Sequence, residues 1–177
     1  TAWAARVGYV GELGYELYVP TEYAPLVYET LKEAGATHGI RDAGYRAIDS
    51  CRLEKGYLYW SADITPETTP IEAGLGFAVK LDKRDAFIGR EALLRARDEP
   101  LLKRLLALTF DDPQAFPWGG EPILVDGTPV GELSSAGYSR SAGRAVALGY
   151  ARMDRVITDD VLANAACEVD IAGERTP

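Results

Sequence analysis

Histidine is all but missing from this chain: His38 stands alone among 177 residues. A Ser-His-Asp relay or a multi-histidine metal site would have to rest on that one residue, so no metal ligand is assigned. His38 itself reads as a loop or helix-end residue. Cysteine is nearly as scarce. Cys51 and Cys167 lie far apart with no Cys-x-x-Cys spacing, and read as reduced, buried small hydrophobes of a cytoplasmic protein. Basic charge is in deficit, with 19 Lys and Arg against 27 Asp and Glu and a net charge of −8. A polyanion-binding face needs clustered Lys and Arg, and none is visible, which argues against a nucleic-acid partner. Long apolar runs are missing as well. None approaches the roughly 18 residues of a membrane span, and no charged-then-apolar leader opens the chain. The chain starts at Thr1 without a methionine, and upstream residues are expected in a parent protein.

What is present is an ordinary globular balance, 47% apolar and 26% charged, in a chain long enough for one domain or two small ones. Gly8, Gly11 and Gly14 recur too densely for a helix interior, where each would cost about 1 kcal/mol. Residues 5–19 therefore read as two short strands around a glycine-punctuated turn, with Tyr15, Leu17 and Val19 alternating with Glu16 and Tyr18. The spacing does not fit Gly-x-Gly-x-x-Gly, the mark of a dinucleotide phosphate site. Pro20-Thr21 opens a helix whose inner face carries Tyr23, Leu26, Val27, Thr30, Leu31 and Ala34, and which stops at Gly35. A second helix is predicted from about 42 to 54, with Ala43, Ala47, Ile48 and Cys51 inward. Residues 57–61 and 74–80 read as strands. Thr69-Pro70-Ile71-Glu72 reads as a capped helix start, and Gly89 as the start of a third helix.

A domain boundary is expected near Asp98-Glu99-Pro100. Beyond it the signals are all-β: short strands at 104–110, 122–125, 130–134, 146–151 and 168–171, punctuated by an Asp126-Gly127 turn. Strands at this spacing predict a small barrel or sandwich. Ala172-Gly173-Glu174 is a turn that should return as another strand where the chain stops at Pro177. The second domain is therefore expected to be clipped at its last hairpin.

Two segments belong together: GYVGELGYEL at 8–17 and RAIDSCRLEKGYLYWSADITPETTPIEAGLGFAVK at 46–80, in this order with one helix-length segment between them. They resemble the second half of the glycine-cleavage T-protein (aminomethyltransferase) family, most nearly the folate-binding tail of sarcosine and dimethylglycine dehydrogenases. SSAGY at 134–138 and LGY at 148–150 carry the likeness into that family's C-terminal barrel, so it covers nearly the whole chain. The resemblance implies an α+β fold: a partial T-protein-type folate-binding domain over 1–99, then a small antiparallel β-barrel domain over 100–177. It implies one-carbon transfer from a small N-methyl amine to tetrahydrofolate, with FAD in an upstream part of the parent. It also implies that the family's principal catalytic aspartate lies upstream, so no catalytic residue is assigned and the 177 residues alone are expected to be inactive. A half-domain exposes an apolar face, which argues for self-association or an upstream partner domain. The alternative is a non-catalytic folate-sensing or interaction module, since a scaffold does not fix a function.

A pterin presents a ring N–H and an exocyclic amine, a donor edge that a carboxylate accepts through two parallel hydrogen bonds. The resemblance puts Glu16, in its Gly-Tyr-Glu-Leu step, at the pterin-holding position; the plain alternative is a solvent-facing strand glutamate. Glu12 is a second candidate, or a tie for its own loop. Tyr9 and Tyr57 match tyrosines that line the family's folate pocket, with core packing as the alternative. Trp60 is a further aromatic wall. Arg52 either reaches the glutamyl tail of a folate or pairs with Glu54 or Asp49. The chain departs from the family in one place: an arginine common four residues before Arg52 is replaced by Ile48, as in the flavin-linked branch, so that arginine's role is not carried over. The run 63–76 reads as architectural, and 134–138 as packing and domain contact.

Overall fold

A computed structural model of the chain describes every residue from Thr1 to Pro177. It resolves into two compact units, Thr1–Tyr57 and Leu58–Pro177. Residues 58–99 tie themselves to the β-rich part there: the Leu105 amide donates to the Glu72 carbonyl at 2.9 Å, and Ser134 donates to Asp63.

In the first unit, β1 (Trp3–Ala5) pairs antiparallel with β2 (Glu16–Tyr18), setting Trp3 opposite Tyr18 and Ala5 opposite Glu16. Helix α1 (Ala24–Gly35) runs into a 3-10 turn, Ala36–His38, capped by Gly39 at φ 71°. His38 is thus a helix-end residue. Helix α2 (Tyr45–Glu54) is followed by Gly56 at φ 66°, the left-handed step that glycine takes at little cost. Asp42 accepts from the Tyr28 hydroxyl and the Lys32 ammonium, both at 3.0 Å, which ties α1 to the segment before α2. The predicted inner face of α1 is not covered: Tyr23, Leu26 and Leu31 are exposed and Val27 is half-buried. On α2 the buried residues are Arg52 and Leu53, while Ala47 is exposed, as is Ala43, which lies before the helix. Two short strands and two helices have too little apolar surface among themselves to close a core.

The second unit opens with turns where strands at 57–61 and 74–80 were expected. The Tyr59 carbonyl gathers the amides of Ala62, Asp63 and Ile64 into a tight loop. Gly76–Ala78 forms a single 3-10 turn after Gly74, itself at φ 71°. The capping box forms as predicted: the Glu72 carboxylate accepts from the Thr69 amide at 2.9 Å, and the Thr69 hydroxyl accepts from the Glu72 amide at 3.1 Å. Residues 70–74 nevertheless form a turn and not a helix, with Gly74 in the left-handed region at its end. Helix α3 (Arg90–Asp98) follows Gly89.

Six strands then build one antiparallel sheet. They are β3 (Lys103–Thr109), β4 (Pro122–Val125), β5 (Thr128–Ser139), β6 (Arg144–Arg152), β7 (Cys167–Ile171) and β8 (Glu174–Thr176), ordered β3-β6-β5-β4-β7-β8. Helix α4 (Asp159–Ala163) precedes β7, with the Thr158 hydroxyl as its N-cap. The turn at Ala172-Gly173 does return the chain, as the three-residue β8. The two edges meet where the Asp111 amide donates to the Pro177 carbonyl at 3.2 Å, giving the sheet its barrel character. Its interior is apolar: Phe110, Ile123, Leu133 and Val169 form one cluster, and Leu106, Val125, Met153 and Ile157 another. Each such side chain contributes about 1.5–3 kcal/mol of burial.

Candidate functional site

The loop between β1 and β2 folds onto the C-terminal end of α2. Gly11 makes this possible. It sits at φ 70°, and a Cβ there would lie 2.1 Å from Cγ of Lys55. The Lys55 stem therefore runs across the glycine, and its ammonium meets the Glu12 carboxylate at 3.1 Å. Glu12 thus ties down its own loop, the second of the two roles expected for it.

Tyr9, on the same loop, stacks against Tyr57, with ring centroids 6.2 Å apart and planes 27° from parallel. The Tyr57 peptide is held from both sides. Its amide donates to the Arg52 carbonyl at 2.8 Å, and its carbonyl accepts from Arg52 Nη1 at 3.1 Å. Arg52 Nε donates to Asp49 at 2.6 Å, one turn back on α2. With its side chain 3% exposed, Arg52 is a buried brace. Of the pairings expected for it, Asp49 is formed.

Glu16 stands at the start of β2, exposed, and accepts a 2.5 Å hydrogen bond from the Tyr18 hydroxyl two residues on. That bond is the main reason the Tyr18 hydroxyl titrates above its usual range, since it favours the protonated phenol. The carboxylate is thereby oriented along the strand. The first unit thus links Tyr9, Tyr57 and Arg52 in one chain of contacts, pairs Glu12 with Lys55, and presents Glu16 beside Tyr18. Trp60 belongs to the second unit, 62% exposed, and forms a bridge with Ile64.

Residues 1–83 match the model described as the GCVT N-terminal domain, and residues 103–177 match the glycine cleavage T-protein C-terminal barrel domain. The chain belongs to the glycine-cleavage T-protein family. Its T-protein domain is of the aminomethyltransferase type. Among curated relatives, the mitochondrial pyruvate dehydrogenase phosphatase regulatory subunit of Mus musculus is 40% identical across 94% of this chain and 20% of its own length. The mitochondrial sarcosine dehydrogenase of Mus musculus is 44% identical across 84% of this chain and 16% of its own length. The solved aminomethyltransferase T of the Bartonella henselae glycine cleavage system superposes with a TM-score of 0.82 at 27% identity, covering 99% of this chain and 47% of that one. This T-protein chain therefore spans about half or less of each of these relatives. No helix in it is long and apolar enough to cross a membrane.

Sequence reasoning missed the buried Asp63 and its tie to Ser134, setting both aside as architecture and packing. A signal was present: Ser134-Ser135 interrupts the apolar alternation of β5, as a bulge does.

Proposed function

We propose that this chain is the tetrahydrofolate-binding region of a protein that moves a one-carbon unit from a small N-methyl amine to tetrahydrofolate. The observation that carries the reading is the Tyr9–Tyr57 stack braced through Arg52. Tetrahydrofolate, when bound, supplies the nitrogen that accepts the one-carbon unit. Glu16 would accept from the pterin's N–H edge, with Tyr18 fixing the carboxylate's direction. Tyr9 and Tyr57 would give the ring its flat wall, and Arg52 contributes by holding Tyr57 in place. Glu12 keeps the loop down through Lys55. Trp60 is assigned as a further aromatic face. These groups bind and orient; proximity, rather than proton transfer, is their contribution to rate. Amine oxidation by FAD and the catalytic aspartate are assigned to sequence outside these residues, and the chain alone is expected to show no aminomethyl transfer. The exposed apolar side of the first unit is assigned to self-association or to an upstream domain.

Calorimetric titration of 5-formyltetrahydrofolate into the protein and its Glu16→Ala variant tests this. Loss of a charge-assisted, bidentate contact costs about 1.5–3 kcal/mol, so affinity should fall roughly ten- to a hundredfold. Equal affinity for both would return Glu16 to a solvated strand position. The likeness to a phosphatase regulatory subunit favours one second reading, a non-catalytic folate-sensing or interaction module. Folate binding without transfer in the full-length protein would select the sensing form. No binding by the unaltered protein would select the interaction form.

A further inference from the structure

The sheet of the second unit is open along one line, between β3 and β8. Just past β3 the Phe110 amide donates to Ala145, opposite it on the β6 side, so the even-numbered amides of this strand face β6. The odd-numbered ones face away from it. There the Leu105 amide finds the Glu72 carbonyl at 2.9 Å, and the Asp111 amide finds the Pro177 carbonyl at 3.2 Å. Between these two, Ala107 and Thr109 turn their peptide groups to the opening with no strand beside them. An unpaired strand edge is a template for another extended chain.

Across the opening, β7 has five residues and β8 only three, so Cys167 and Glu168 extend beyond the last β8 pair, Val169 with Thr176. Between Cys167 and residues 104–108 the gap widens into a cavity of about 250 Å³, with Leu106, Leu108 and Leu162 among its walls. Chain direction suits this gap. Every neighbouring pair in the sheet is antiparallel, which sets β8 antiparallel to β3 as well. With Pro177 opposite Asp111, the chain beyond it would pass Phe110, Thr109, Leu108, Ala107 and Leu106 in turn. The β7–β8 register, continued by one pair past Glu168, sets the first of those positions opposite Cys167. The two registers agree on its face, because Phe110 and Cys167 both pack in the barrel interior.

We propose that the slot between β3 and β7 receives the segment that follows Pro177 in a longer parent chain, extending β8 by about five residues and closing the barrel. The register dictates that segment's chemistry. Its first, third and fifth residues face Phe110, Leu108 and Leu106 inside the barrel and are apolar. Its second and fourth lie on the outer face, and their peptide groups exchange hydrogen bonds with Thr109 and Ala107. Proline is excluded at both, since it has no N–H to give. The Glu72 carbonyl, already on the Leu105 amide, ends the strand.

Residue-resolved hydrogen exchange on the full-length protein, and on the same protein ended at Pro177, tests this. In the full-length protein the Ala107 and Thr109 amides should exchange at least roughly tenfold more slowly than in the shortened one. Proline placed at the second position after Pro177 should speed both amides again, and it decides on the same readout if the shortened protein does not fold. Fast exchange of these amides in the full-length protein overturns the proposal. Protection that survives shortening also overturns it, by giving the edge to another segment. So does protection that grows with protein concentration, which gives the edge to a second copy. A parent chain that stops short of this segment, or that carries charged side chains at its first, third and fifth positions, contradicts the proposal outright.

Discussion

Arg52 braces Asp49 and the Tyr57 carbonyl from a buried position on α2. Truncation to Leu should cost about 1–3 kcal/mol, because the Tyr57 carbonyl loses a charged donor. A lower urea midpoint at unchanged slope would show it. Arg52→Lys should recover little, since one ammonium does not reproduce two donors set at a fixed angle. Tyr150 gives a second expectation at this scale. Burial, outweighing the nearby Thr68 hydroxyl, pushes its phenol from 10.0 up to about 12. The fold thus favours the neutral phenol, and the stability this contributes is complete below pH 10 and lost as pH rises through about 12. Tyr150→Phe should reduce the slope of stability against pH across that window; an unaltered slope would refute the assignment. The candidate residues rest on short motifs, and most of the contacts they make in the fold did not follow from those motifs. Lys55 on Glu12 depends on how a loop folds back, which spacing does not encode, whereas Tyr18 and Glu16 share a strand face at i and i+2.

The strands of the second unit follow from alternation and turn chemistry, and Asp126-Gly127 forms its hairpin at φ 51° and 76°. The β7–β8 hairpin uses Ala172-Gly173 at φ 53° and 91°, where alanine is strained. Ala172→Asn should therefore stabilise by about 1 kcal/mol, raising Tm by about 2–4 °C in a thermal melt. Gly131→Ala should do the reverse. A Cβ there would lie 1.7 Å from the Tyr150 carbonyl oxygen, so β5 and β6 must part. The cost belongs at the upper end of the roughly 1–3 kcal/mol seen for overpacking. Segments 57–61 and 74–80 misled because their apolar, aromatic composition matches a strand. Hydrogen bonds onto the Tyr59 carbonyl and the left-handed Gly74 decided otherwise, and neither leaves a periodic trace.

For the molecule as a whole, the two units differ in how much they bury. The barrel unit has an apolar core of its own, whereas Trp3, Leu17, Tyr23, Leu26 and Leu31 of the first unit are exposed. The helical period of α1 was read correctly, but sequence does not say what covers its apolar face. Sedimentation of the 177-residue chain should show association that grows with concentration, and Leu26→Glu with Leu31→Glu should suppress it. The account's central claim is that Tyr9, Tyr57 and Glu16 receive a pterin. A crystal structure of the protein with 5-formyltetrahydrofolate tests it most directly. The pterin should lie against the Tyr9–Tyr57 pair, with its N–H edge about 2.7–3.2 Å from the Glu16 carboxylate. A pterin bound elsewhere, with Glu16 facing solvent, would contradict it.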